Sequence, residues 1–290
     1  MPRPMLTTIH LDPPMLADAR AGRFNFLNRL AGALEAGGAK VRFRRLDAPR
    51  GRRSLWHMQA PEDAENALIF RRTYHYPFWH IESDPARWRW PVARAGFTPG
   101  DPAQAQDFAT RLRRRLWPGV TPTRGEELLV PMQGRIRQCR SFQTMAPLDM
   151  LEAIGASGLP AAVTLHPREV HDAGDRAALD AVLARHRTLR LVGDSRALLP
   201  HCLGVATMNS AVAFDGYILG KPAVLFAQID FHHIALNVAD WGAGAALAAL
   251  PGHAPDFAAY LHWFLGQAID AAAPDAEAQV ARALARNGWA

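Results

Sequence analysis

Short runs of consecutive or alternating apolar residues are separated along this chain by longer runs in which they recur every third or fourth position. Met5 to Leu11 forms a first expected strand, stopped by Asp12-Pro13-Pro14. Phe24, Leu27, Leu30, Ala31 and Leu34 then share one helical face, and Gly37-Gly38 closes that helix. Lys40 to Arg45 alternates like a strand, and Leu68 to Arg72 is another. Strand, helix and strand in this order predict a parallel α/β sheet. Residues 79–102 are dense in Trp and Pro and show no clear period, whereas Gln104 to Leu116 has the pattern of a basic helix.

From Leu128 onward the pattern sharpens. Strands are expected at Leu128–Met132, Ala161–Leu165, Leu189–Val192, Gly204–Thr207 and Ala223–Phe226. Helices are expected at Pro147–Ile154, Asp175–Arg187, Arg196–His201 and Ser210–Leu219. That alternation is doubly wound. Asp256 to Arg286 is helical in pattern apart from Pro274. Pro118 to Glu127 holds two prolines and two glycines and has the composition of a linker. The expected domains are therefore 1–122, 123–255 and a helical segment, 256–290.

Composition narrows the class. A chain of 290 residues accommodates one large domain or two ordinary ones. With 49% hydrophobic and 21% charged residues, wholesale disorder is excluded. Cys139 and Cys202 are the only cysteines and there is no C-x-x-C, which argues against a disulfide scaffold and a structural zinc site and suits a reducing compartment. Met1 to Leu16, with Pro2, Pro4, Pro13 and Pro14, lacks the apolar core of a signal peptide. No apolar run reaches the roughly 18 residues of a membrane span, so a cytoplasmic protein is expected.

The formal net charge is +6, and only Lys40 and Lys221 are lysines, so the excess is arginine. Either coding bias or an anionic partner accounts for it: a nucleotide, an acidic sugar, nucleic acid or an anionic lipid surface. Arg111, Arg113, Arg114 and Arg115, beside Leu112, Leu116 and Trp117, fit a solvated helix face or peripheral contact with anionic lipid at the inner membrane. No helix-turn-helix, zinc-finger or RNA-recognition signature is present, so nucleic acid is not an expected partner.

Three segments place polar groups after expected strands, where open α/β sheets bind ligands. The first is Val130-Pro131-Met132-Gln133, followed by Arg140-Ser141-Phe142-Gln143. The second is His166-Pro167-Arg168, whose imidazole and guanidinium suit phosphate oxygens. The third runs from Val205 through Asn209-Ser210 and Asp215 to Gly220-Lys221-Pro222. There a capped helix N-terminus favours an anion, and Asp215, about a turn and a half on, suits ribose hydroxyls. Each of the three, taken alone, fits an ordinary α/β connection more readily than a binding site.

Taken together, the three segments resemble the capsular polysaccharide biosynthesis and export family that includes the Kdo transferases of capsule assembly. That family shows a V-P-L-Q strand, a later His-Pro, and an N-S-S/T-V-x-x-E-A-x-x-x-G-K-P helix. The resemblance covers roughly residues 128–236 and is weaker at 22–41. Asp215 stands where the family carries glutamate, with a shorter reach, and Ala211 where it carries a second hydroxyl.

The resemblance implies a GT-B-like fold, two Rossmann-like doubly wound domains with a cleft between them and a C-terminal helical segment packing back. It implies a glycosyltransferase of capsular or surface polysaccharide synthesis, moving Kdo from CMP-Kdo to a saccharide or glycolipid acceptor. Gln133, Ser141, His166, Pro167, Arg168, Asn209, Ser210 and Asp215 would hold the nucleotide-sugar donor, with no cofactor and no metal. Two other readings remain: a GT-B transferase using a UDP- or GDP-sugar, and a non-catalytic capsule assembly or export factor. Glycosyl transfer also needs a base. Asp12 and His10, at the end of the first strand, are the candidates, with Asp18, His75 and Glu82 as rivals. Tyr74 to His80 is an aromatic stretch suited to an acceptor wall or to core. Asp230-Phe231-His232-His233 lacks further metal ligands at the usual spacing and fits a cleft lining or a helix start.

Overall fold

Strand alternation puts Ile9 and Leu11 on one face of the first strand and Thr8 and His10 on the other. In the computed structural model, residues 5–62 and 65–289 are described. Pro2 and Pro4 lie outside them. The chain forms two units, Met1–Val92 with Leu265–Ala290, and Ala93–Phe264.

The elements of the chain begin with β1 (Leu6–Leu11), α1 (Pro13–Arg20), α2 (Asn25–Ala36), β2 (Lys40–Arg45), β3 (Arg53–His57), β4 (Ala67–Arg72) and β5 (Phe78–Glu82). They continue with α3 (Pro91–Arg94), α4 (Pro102–Leu116), β6 (Leu128–Pro131), α5 (Pro147–Ala156), β7 (Ala161–Thr164), α6 (Ala173–Arg185) and β8 (Leu189–Val192). Next come α7 (Ser195–Leu198), β9 (Gly204–Thr207), α8 (Ala211–Ile218), β10 (Ala223–Leu225), β11 (Leu236–Asn237), α9 (Val238–Trp241) and α10 (Ala243–Ala249). The last are α11 (Phe257–Gly266), β12 (Ile269–Asp270) and α12 (Ala276–Arg286).

The first unit holds a six-stranded sheet in the order β12-β5-β4-β3-β1-β2. β1 to β4 are parallel, and β5 and β12 add antiparallel edges. Ile9, Leu11, Leu55, Leu68, Phe70 and Ile81 form one core with Phe26, Leu27, Leu30 and Leu34 of α2 and Val280 and Leu284 of α12. The second unit holds the order β11-β10-β9-β6-β7-β8, all parallel. This is the doubly wound order expected of its sequence, and both units are Rossmann-like α/β.

Several elements differ from expectation. Asp12-Pro13-Pro14 does not only stop β1; it starts α1. Asp12 is the N-cap, its Oδ1 accepting from the Met15 N–H at 2.9 Å, and the prolines occupy the first helical positions, where no N–H is needed. β3, β5 and β12 were not expected, and β12 breaks the helical segment 256–290 into α11 and α12. The units divide at 92/93 and 264/265, where 122/123 and 255/256 were anticipated. The segment 118–127 lies inside the second unit. Thr123 N–H donates to Pro200 O (3.0 Å), Leu203 N–H donates to Glu127 O (2.8 Å), and the buried Lys221 ammonium donates to Thr123 O and Cys202 O.

The arginines of α4 have a local explanation. Leu112 and Ala105 are buried, Arg111 pairs with Asp107, and Arg113, Arg114 and Arg115 fill the last turn, where cations offset the negative helix end. Among the described residues no helix is long and apolar enough to cross a membrane.

Candidate functional site

Each sheet has one place where its connections reverse direction, and such a place leaves a crevice beyond the strand C-termini. In the second unit the chain goes β6, β7, β8 to one side, then returns to lay β9 on the other side of β6. The reversal therefore lies between β6 and β9. Gln133 follows β6 and Asn209 follows β9, and the Asn209 N–H donates to Gln133 Oε1 at 3.4 Å. Below them Thr207 Oγ1 donates to Pro131 O at 2.9 Å, fixing the strand ends in register. Asn209 Nδ2 also donates to Gln228 O at 3.2 Å, tying in the end of β10. Ser210 caps α8, its Oγ accepting from the Val212 N–H at 3.3 Å.

Asp215 is half-buried in α8, about 6 Å along the axis from Ala211 at ~1.5 Å per residue. His166 follows β7, the neighbour of β6; at about 4.8 Å per strand, β7 and β9 end about 10 Å apart. The Arg168 N–H donates to His166 Nδ1 at 3.2 Å, so the neutral ring carries its proton on Nε2 and presents a donor. Pro167 and Arg168 are exposed beyond it, and Ser141 is exposed in the loop between β6 and α5. The structure thus joins Gln133, Asn209 and Ser210 directly. It sets His166 one strand away and leaves Ser141, Pro167 and Arg168 on surface loops.

The first unit repeats the device. β1 leads to β2 on one side and the chain then returns to β3 on the other, so the reversal lies between β1 and β3. Asp12 and His57 stand at the C-terminal ends of those strands, with Asp12 Oδ2 3.9 Å from His57 Nδ1. His57 escapes notice in the sequence because β3 is short and flanked by arginines. Burial holds the His57 imidazole below the ordinary value of 6.5; Asp12 opposes this, and Arg71 and Arg72 add to it.

His10 has a different place from that expected of a base. It is fully buried and its ring stacks on Trp56 with centroids 3.7 Å apart. Its Nδ1–H donates to Arg45 O at 3.2 Å. Burial lowers its basicity, the Arg45 carbonyl opposes this, and Arg50 lowers it further. His10 packs the floor beneath Asp12 and does not present a free nitrogen to solvent. Among the rivals, Asp18 pairs with Arg23 on the surface (2.7 Å), and Glu82 is buried against Arg286 (3.0 Å) and His80 (3.4 Å). His75 sits in the loop between β4 and β5, whose strands bring Phe78 and Trp79 into the core while Tyr76 stays exposed.

Two imidazoles that are less basic folded than unfolded give stability a pH slope. Below 6.5 the unfolded chain binds more protons at these positions than the native one, so stability falls as pH falls. Urea midpoints should drop between about pH 7 and pH 5, and His57→Gln should make that drop shallower. An unchanged slope in the variant would remove His57 from the account.

His232 and His233 begin no helix. Their rings stack at 4.3 Å, with His232 Nε2 on Ala93 O (3.0 Å) and His233 Nε2 on Ala95 O (3.1 Å). They fasten the loop after β10 to the start of the second unit. Among the described residues no group of three His, Cys, Asp or Glu side chains could hold a metal ion.

No family model matches the sequence, and no curated protein sequence matches it either. Solved structures with a similar course of the chain include a β-Kdo 2,7-transferase, KpsC of Thermosulfurimonas dismutans. It shows 13% identity and a TM-score of 0.48 over 81% of this chain and 83% of that one. The β-Kdo 2,4-transferase of the same KpsC shows 15% identity and a TM-score of 0.44 over 91% of each chain. The spinosyn rhamnosyltransferase SpnG shows 15% identity and a TM-score of 0.34 over 94% of this chain and 75% of that one. Likenesses this distant transfer no residue roles.

Proposed function

We propose that this chain is a GT-B glycosyltransferase of capsular or surface polysaccharide synthesis. In this reading it takes a sugar from a nucleotide-sugar donor, Kdo from CMP-Kdo, and passes it to a saccharide or glycolipid acceptor on the cytoplasmic side of the inner membrane. The observation that carries the reading is the reversal between β6 and β9. There Gln133, Asn209 and the Ser210-capped end of α8 meet, three polar positions that the sequence marks in the motif order of capsule Kdo transferases.

The chemistry follows from the residues. The amide groups and the α8 N-terminus take the donor phosphate, where the helix dipole favours negative charge. The His166 Nε2–H offers a further donor to the phosphate oxygens, and Asp215 accepts from ribose hydroxyls. A base takes the proton of the acceptor hydroxyl, whose oxygen forms the new bond to the anomeric carbon; Asp12 of the first unit is the candidate for that base. The bond from that carbon to the phosphate oxygen breaks, and its electron pair leaves on the nucleotide.

Calorimetric titration with CMP, UDP and GDP tests the donor. CMP binding that is lost in His166→Ala is the expected result. Preference for UDP or GDP would replace the donor, and absence of binding to all three would overturn the reading. A non-catalytic assembly or export factor has one observation in its favour, the use of Asp12 Oδ1 to cap α1. Donor binding without turnover on any capsule acceptor would mark that alternative.

A further inference from the structure

The loop between β6 and α5 contains two buried donors with nothing to donate to. Arg140 Nε and Gln143 Nε2 are both shielded from solvent and have no hydrogen-bond partner among the described residues. Gln143 is only 9% exposed, and its Oε1 is already taken by the Arg140 N–H at 2.8 Å. The Arg140 guanidinium lies over the Phe142 ring at 4.8 Å from the centroid.

These groups are held, not loose. Gln143 bridges Ala227 in antiparallel fashion, and the Thr144 N–H donates to Phe226 O at 2.9 Å. The Gln228 N–H donates to Phe142 O at 2.9 Å, and Gln228 O in turn accepts from Asn209 Nδ2. The orphaned donors therefore sit on a loop fastened to the strand ends, two hydrogen bonds from Asn209.

A buried donor without an acceptor destabilises a fold by the full loss of its hydration, and such groups are few in native proteins. Two in one four-residue stretch mark a place where the acceptor comes from outside the chain. Both orphans are donors, and one belongs to a permanent cation. The group that satisfies both must accept hydrogen bonds, and a negative one suits the cation best. Arg135 adds positive charge beside Arg140, while the Glu169 carboxylate, packed against Gly134, supplies opposite charge nearby. A guanidinium fork with an adjacent amide matches the oxygens of a phosphate.

We infer that Arg140 and Gln143 form a phosphate receptor, and, resting on the function proposed above, that it grips the phosphate of the nucleotide-sugar donor. The chain thereby gains a phosphate contact beyond Gln133, Asn209 and Ser210.

The test is titration of the full chain with CMP and cytidine, UDP and uridine, and inorganic phosphate. The wild type should bind nucleotide more tightly than nucleoside. Arg140→Gln should weaken nucleotide binding by about tenfold or more and leave the nucleoside unchanged. Gln143→Glu keeps the side-chain shape and the acceptor for Arg140 N–H but turns the donor into a repelling carboxylate, so it should do the same. Unchanged thermal unfolding of both variants shows that the fold is kept. If both bind nucleotide like the wild type, the receptor is overturned while the donor site stands. If the wild type binds inorganic phosphate but no nucleotide, and Arg140→Gln abolishes this, the receptor stands and the glycosyltransferase reading falls. If nothing binds, both fall.

Discussion

Phe214→Ala will lower the stability of the second unit by about 3–5 kcal/mol. Phe214 is fully buried on α8, with Phe264 at 5.3 Å, Phe231 at 5.7 Å and Tyr217 at 6.3 Å between ring centroids. Tyr217 is itself buried, and its hydroxyl, donating to Phe231 O at 3.4 Å, is pushed well above the ordinary phenol range by that burial. The surrounding rings belong to different elements, so they cannot all move inward to fill the space. The cost is therefore transfer plus cavity. Urea unfolding measures it, with Val170→Ala, at a site 90% exposed, as the control expected to change little. A loss below about 1 kcal/mol would mean that the core around α8 can collapse, contrary to the close packing described.

On the function proposed above, Asp12→Asn will cut sugar transfer by about a hundredfold or more while leaving the fold in place. The two roles of Asp12 separate cleanly because its two oxygens do different things. Oδ1 caps α1 and Oδ2 faces His57. Asparagine caps a helix about as well as aspartate but has no basic oxygen to take a proton. Asp12→Ala should lose the same activity and in addition about 1 kcal/mol of stability. Turnover assays with the donor selected by titration, read beside thermal unfolding, separate the cases. Wild-type turnover in Asp12→Asn would remove the base assignment and shift weight to a binding protein without catalysis.

The second unit was legible from its sequence because its central strands, β6, β7, β9 and β10, are parallel and buried on both faces. Val205-Ala206-Thr207 and Ala223-Val224-Leu225 are continuous small-to-medium apolar runs between sharp turns, a pattern with one interpretation in a doubly wound sheet. The first unit was less legible for reasons that differ by element. α1 hides behind two prolines, which mark a stop after a strand and a start after a capping aspartate. β5 lies in the Trp- and Pro-rich stretch, where burial on both faces erases alternation. β12 is two residues long and exists only because β5 offers it an antiparallel edge.

The candidate site divides in the same way. Gln133, Asn209 and Ser210 follow clear strands and fall where motif spacing puts them. His57 does not, since only its neighbour Asp12 singles it out; Arg140 and Gln143 stand in a segment the sequence marks, but their buried, unpartnered donors are visible only in the fold. Asp12 faces His57 across a gap of 45 residues in the chain, visible only once β1 and β3 pair. His10 shows the reverse: its position at the strand end suggested chemistry, and the opposite side of the pleat took it into the interior against Trp56.

The first unit is completed from both ends of the described chain, and this orders events during synthesis. Residues 93–264 are continuous and emerge from the ribosome together, whereas Leu68, Phe70 and Ile81 wait for Val280 and Leu284 of α12 before their apolar face is covered. Through that interval the earliest-made sheet carries a bare hydrophobic flank and an unpaired β5 edge, the kind of surface that aggregates or recruits chaperones. The strands made before the second unit are thus completed only after it.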